Sequence, residues 1–93
     1  MDKMERGRRN LAKIQSIAES RPFRSRMTFW NPTVDEPTTV TVYQCDVSPI
    51  SLVYDQLNQK NADNMISQLA TVSGFYKMLE FCWSRVEFRA TQI

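Results

Sequence analysis

The sequence predicts an α+β fold of order α–β–β–α–α, and three observations carry that expectation. Apolar residues recur at helical spacing near the start and again over a long stretch near the end. Two runs rich in β-branched and aromatic residues lie between them. A string of turn formers separates those two runs. The 93 residues read as one small domain, 1–93, near the lower size at which a chain builds its own core. Within it, a basic N-terminal helix occupies 1–22, a β-hairpin 23–47 and a helical part 48–88.

The first helix is expected over residues 2–19. Asp2 and Glu5 have capping-box spacing, so the Asp2 carboxylate can accept from a free backbone N–H. Met4, Leu11, Ile14 and Ala18 share one face, while Arg6, Arg9 and Lys13 share the opposite one. Gly7 weakens the first turns by roughly 1 kcal/mol relative to alanine. Ser20-Arg21-Pro22 ends the helix, because proline drives the preceding residue out of the helical region.

The runs "FRSRMTFW" and "TTVTVYQCDV" flank "NPTVDEP". They predict strands near 24–30 and 38–46 joined by a seven-residue loop. A lone hairpin is marginal in water, so these strands must lie on a helix or meet another strand. Ser48 then reads as an N-cap with Pro49 in the first helical position. Ile50, Val53, Tyr54 and Leu57 supply the apolar stripe of that helix. "NQKNADN" breaks it, and Asn61 or Asp63 can cap a long final helix over 63–86. That helix is expected to end near Arg85. The tail "VEFRATQI" alternates apolar and polar residues, which leaves a short third strand on the hairpin as the lesser alternative.

Residues 65–86, "MISQLATVSGFYKMLEFCWSRV", hold the densest apolar pattern. Met65, Leu69, Val72, Tyr76, Leu79, Trp83 and Val86 form a heptad-like seam. Thr71, Phe75, Met78 and Cys82 form a second seam beside it. Two seams exceed the stripe of about 100° that a surface helix needs. They suit the central helix of a small α+β domain, covered by the hairpin on one seam and by helix 49–58 on the other. The sharper expectation is that one of them, Phe75/Met78/Cys82, is left for a protein partner or a second copy of the chain, since Met and Phe suit adaptable interfaces. Ala70 and Gly74 leave room for another backbone to approach closely. Lys77 and Glu80 interrupt the stretch, so a membrane span is not expected.

The side chains that carry common chemistry are few. There is no histidine, which removes histidine bases, Cys-His pairs and the commonest metal ligand. Cys45 and Cys82 stand 37 positions apart without a second pair, too sparse for a zinc site, and read as two buried reduced thiols. Two glycines cannot build a phosphate-cradling loop. Asp35-Glu36 reads as a solvated turn rather than an acid/base pair. Neither an enzyme nor a bound cofactor is expected. The start shows no charged, apolar and cleavage regions of a secretory leader, so a cytoplasmic setting is expected.

Charge is uneven along the chain. Residues 1–26 hold eight of the 12 Lys and Arg and three of the 10 acids, a balance of +5, whereas the remainder balances at −3. Arg6, Arg9 and Lys13 on the helix, with Arg21, Arg24 and Arg26 interleaved among Phe23, Phe29 and Trp30, resemble what a single-stranded nucleic-acid site uses for phosphate contact and base stacking. The same residues suit an acidic protein patch. The leading expectation is a non-enzymatic protein-binding or assembly protein, oligomeric through its long helix. Small viral or phage inhibitors and assembly factors are one population of such chains. The alternative is a small nucleic-acid-binding protein using its basic N-terminal helix.

Overall fold

Asp2 starts the first helix: its carboxylate accepts the Glu5 backbone N–H at 2.8 Å, satisfying one of the donors that every helix start leaves open. The computed structural model describes residues 2–19 and 24–91, with side chains described through Arg85. That first helix, α1, spans Lys3–Glu19. It is followed by β1 (Arg24–Asn31), β2 (Glu36–Tyr43), α2 (Gln44–Tyr54), α3 (Gln59–Gln68) and α4 (Val72–Thr91). The fold is α+β with a helix, a hairpin and then helices, one helix more than the sequence suggests. The helix end expected at Ser20-Arg21-Pro22 lies outside the described residues.

β1 and β2 pair antiparallel from Arg24↔Tyr43 to Asn31↔Glu36. The strands run closer together than the expected loop "NPTVDEP" allows, leaving only residues 32–35 as the turn. Asn31 accounts for the tighter loop. Its Oδ1 accepts the Thr33 N–H at 3.1 Å, an Asx-type turn, while its Nδ2 donates to Thr38 Oγ1 at 3.1 Å. Asp35 takes the left-handed conformation, φ 53°, that closes the reversal. Pro37 is tolerated because, among the described residues, no strand pairs with the other edge of β2.

β2 stops at Tyr43, and α2 begins at the next residue. The expected strand to 46 and the Ser48 cap are both corrected: Ser48 instead donates its hydroxyl to the Gln44 carbonyl at 2.7 Å inside the helix. Pro49 lies within α2 and forgoes one ladder bond. Burial of Val47, Pro49 and Ile50 offsets that loss, with Val47 and Ile50 closed to solvent.

The expected single helix over 63–86 is two. Asn58, not Asn61 or Asp63, caps α3 by accepting the Asn61 N–H at 2.9 Å. The chain turns at Leu69-Ala70-Thr71, and Thr71 Oγ1 accepts the Gly74 N–H at 3.2 Å as the cap of α4. This break ends the continuity of the heptad-like seam. α4 then continues to Thr91, so residues 86–91 are helix rather than a third strand.

The core lies where all the elements meet. α1 packs on α2, α3 and β1, and α4 packs on α2, α3 and β1. Phe29 of β1 and Phe75 of α4 stack with ring centroids 4.4 Å apart, both closed to solvent. Each buries an area worth about 1.5–3 kcal/mol. The outer edge of β1 is closed by its Trp30 N–H, which donates to the Ala70 carbonyl at 3.3 Å.

Both glycines mark backbone-to-backbone contacts. A methyl on Gly7 would collide with the Ile66 carbonyl of α3, and one on Gly74 would collide with the Gln68 carbonyl. We expect Gly7→Ala and Gly74→Ala to destabilise. Each gains roughly 1 kcal/mol of helix propensity but meets an overpacking cost, typically about 1–3 kcal/mol, that a carbonyl cannot relieve by changing rotamer. Urea unfolding measures both; a midpoint at or above wild type would show that these backbones do not touch.

Candidate functional site

Period-two alternation divides β1 into two faces. Met27 and Phe29 point to the core, while Arg24, Arg26 and Thr28 are exposed on the outer face with Trp30 half-buried beside them. Across the ladder the outer row continues through Tyr43, Thr41, Thr39 and Pro37. Thr28 and Thr39 share a hydroxyl–hydroxyl hydrogen bond of 3.0 Å at its centre. The hairpin thus presents a polar strip with arginines at one end and an indole at the other.

α1 borders the indole end. The Arg6 guanidinium lies over the Trp30 ring, 4.8 Å from its centroid, within the range where a cation is attracted by the ring quadrupole. Between α1 and the hairpin is a cleft of about 340 Å³ lined by Arg6, Arg9, Asn10, Thr28, Phe29, Trp30, Pro37 and Ala70. Among the described residues, two guanidinium groups line it and no carboxylate does. Its floor is apolar and its rim is positive. Asn10 fixes the geometry by donating its Nδ2–H to the Leu69 carbonyl at 2.8 Å, which ties α1 to the turn between α3 and α4.

The basic residues singled out by the sequence are partly brought together. Arg6 and Arg9 share the cleft, and Lys13 is exposed further along α1. Arg24 and Arg26 are exposed on the outer face of the hairpin. Arg21 lies outside the described residues. The Arg6–Trp30 contact is not legible from the sequence, because it joins residues of separate elements. The alternation of Arg24, Arg26, Thr28 and Trp30 on one strand face is the signal that could have placed the indole outward. Asn10 carried no signal.

The seam expected to face a partner is largely spent on the chain's own core. Phe75 and Cys82 are closed to solvent, and Met78 is half-buried. Apolar surface remains on α4 at Phe81, which is exposed and belongs to neither seam, and along the other seam. Tyr76 is 53% exposed, and Val72, Leu79 and Trp83 are half-buried. Ridge choice explains the exchange: with the helix broken at residues 69–71, α4 orients by the Phe29–Phe75 stack rather than by a continuous heptad. Cys45 lies in the first turn of α2 and is exposed, not buried on a strand. Among the described residues, no group of three or more His, Cys, Asp or Glu side chains could hold a metal ion. No helix there is long and apolar enough to cross a membrane.

Comparison with known proteins finds no matching family, no matching curated protein and no matching solved structure. Function must therefore be read from the cleft and the strip themselves.

The two thiols differ enough to report on the fold. Burial pushes the Cys82 thiol up to about 11, against the smaller downward pull of the Arg85 charge. Only the thiolate attacks disulfide reagents. At pH 8 an aromatic disulfide reagent should therefore modify Cys45 alone, and Cys45→Ser should remove the fast phase entirely. Cys82 should react only once denaturant opens the core. Rapid labelling of two thiols per chain in the native protein would contradict this packing.

Proposed function

We propose that this protein is a non-enzymatic binding protein whose recognition surface is the α1–hairpin cleft and the strip running from it, and that its ligand is single-stranded nucleic acid. The observation that carries the reading is Arg6 over Trp30 in a cleft that also holds Arg9 and, among the described residues, no carboxylate. Proteins that grip single strands without a sequence code combine a positive groove with aromatic faces. Here Arg6, Arg9 and Lys13 supply the positive side from the helix, and Arg24 and Arg26 from the strand. Trp30 supplies the face. The threonine row between them offers hydroxyls that both donate and accept.

A role in protein assembly keeps one observation in its favour: the seam of Val72, Tyr76, Leu79 and Trp83 leaves apolar surface on α4, with Tyr76 foremost. The two readings differ in their response to salt. Each phosphate contact releases counterions, so nucleic-acid affinity falls steeply as salt rises, whereas apolar helix contacts do not weaken that way.

Fluorescence anisotropy with a labelled single-stranded 20-mer over a salt series tests the proposal. Wild type should bind with a negative log–log salt slope. Replacing Arg6, Arg9 and Lys13 together with Gln should make that slope shallower by about 2, at about 0.7 for each phosphate no longer neutralised on a single strand. The weakening should be similar for different sequences, because phosphate contacts carry no base identity. An affinity for nucleic acid that is absent at low salt, or one that the triple variant leaves unchanged, would refute the reading.

A further inference from the structure

We infer that the Arg6–Trp30 cleft is a pocket for one nucleobase of the strand, with Arg6 acting as a placeholder that the base displaces. This rests on the nucleic-acid reading above and gives the cleft a role distinct from the arginine strip. Three features of the cleft point to it. Its volume, about 340 Å³, is at the small end of ligand pockets, fit for one planar ring with its sugar rather than for a run of bases. Its floor and wall are aromatic or apolar: Phe29, Ala70, Pro37 and Trp30. And the Trp30 face is already covered by a flat, delocalised group, the Arg6 guanidinium, 4.8 Å from the ring centroid.

A base and a guanidinium compete for the same face by the same geometry, since both are planar and both stack on aromatic rings. Arg6 is half-buried over the indole, so its charge is held close to the cleft but not spent on a carboxylate within it. When a base takes the indole, Arg6 moves to the rim beside Arg9, where the phosphates flanking that base carry the matching charge. The exchange leaves neither group without a counterpart: the cation exchanges a ring for a phosphate, and the ring exchanges a cation for a base. The pocket then holds the strand at one nucleotide while Arg24 and Arg26 meet phosphates further along.

The test compares two labelled 10-mers of equal phosphate count, one of thymidines and one abasic, titrated into the full chain at low salt. Wild type should prefer the base-bearing strand by about tenfold, the scale of one stacked base. Trp30→Leu should abolish that preference while leaving the salt slope unchanged. Arg6→Ala, which removes the competitor and one phosphate contact, should weaken abasic binding and keep or raise the preference for bases. Should Trp30→Leu fail to fold, the Arg6→Ala ratio decides alone. Equal wild-type affinity for the two strands, with a normal salt slope, overturns the base pocket and leaves the binding function standing. A preference that falls to unity in Arg6→Ala also overturns the placeholder role. Binding to neither strand overturns the pocket and the proposed function together.

Discussion

Gly7 of α1 rests against the Ile66 carbonyl of α3, a contact between two backbones with no side chain interposed. Helix axes usually stand 8–10 Å apart because side chains hold them there, and a glycine at the crossing lets them approach further. The approach sets the height of α1 above the hairpin. Asn10, just beyond the crossing, then reaches the Leu69 carbonyl, and Arg6, just before it, reaches the Trp30 ring. The close crossing at Gly7 thus lies between the two residues of α1, Arg6 and Asn10, that reach across to the cleft.

A second chain of contacts reaches the same place from the other side. Phe29 and Phe75 stack in the core and tie β1 to α4. The next residue along β1, Trp30, donates its N–H to the Ala70 carbonyl in the turn before α4. Thr71, which caps α4, holds that turn, as does Gly74, which lets the helix start against Gln68. Side-chain alternation does the rest: fixing Phe29 inward obliges Thr28 and Trp30 to face outward. The outward indole is set by the same residues that build the core, which is how a chain this short can hold the indole in a fixed place beside α1.

Much of the fold was legible in local signals. Asp2 capping α1, the hairpin runs and the apolar stripe of α1 all follow from residue type and spacing. Legibility stopped where tertiary contacts overruled local preference. Ser48-Pro49 has every mark of a helix start, yet burial of Val47 and Ile50 draws the helix back to Gln44. The spacing of Met65 to Val86 mimics one continuous helix, because the turn at Leu69-Ala70-Thr71 is packed into the core and carries apolar residues rather than turn formers. Of the two α4 seams, the one that meets the core is decided by Phe29, a residue far away in the sequence. Likewise the arginines of the site could be named from composition, but the partner of Arg6 could not. Gly7 read as a weak point in a helix and is where two helices touch.

The most direct measurement is a titration of ¹⁵N-labelled protein with a single-stranded oligonucleotide, followed at the two indole Nε1–H signals. Trp30 and Trp83 lie on different elements, and only Trp30 lines the cleft. The account predicts a large, saturating shift of the Trp30 signal together with the Arg6 side-chain signal, while the Trp83 indole stays in place. A shift at Trp83 with Trp30 unmoved would contradict it and move the binding surface to α4.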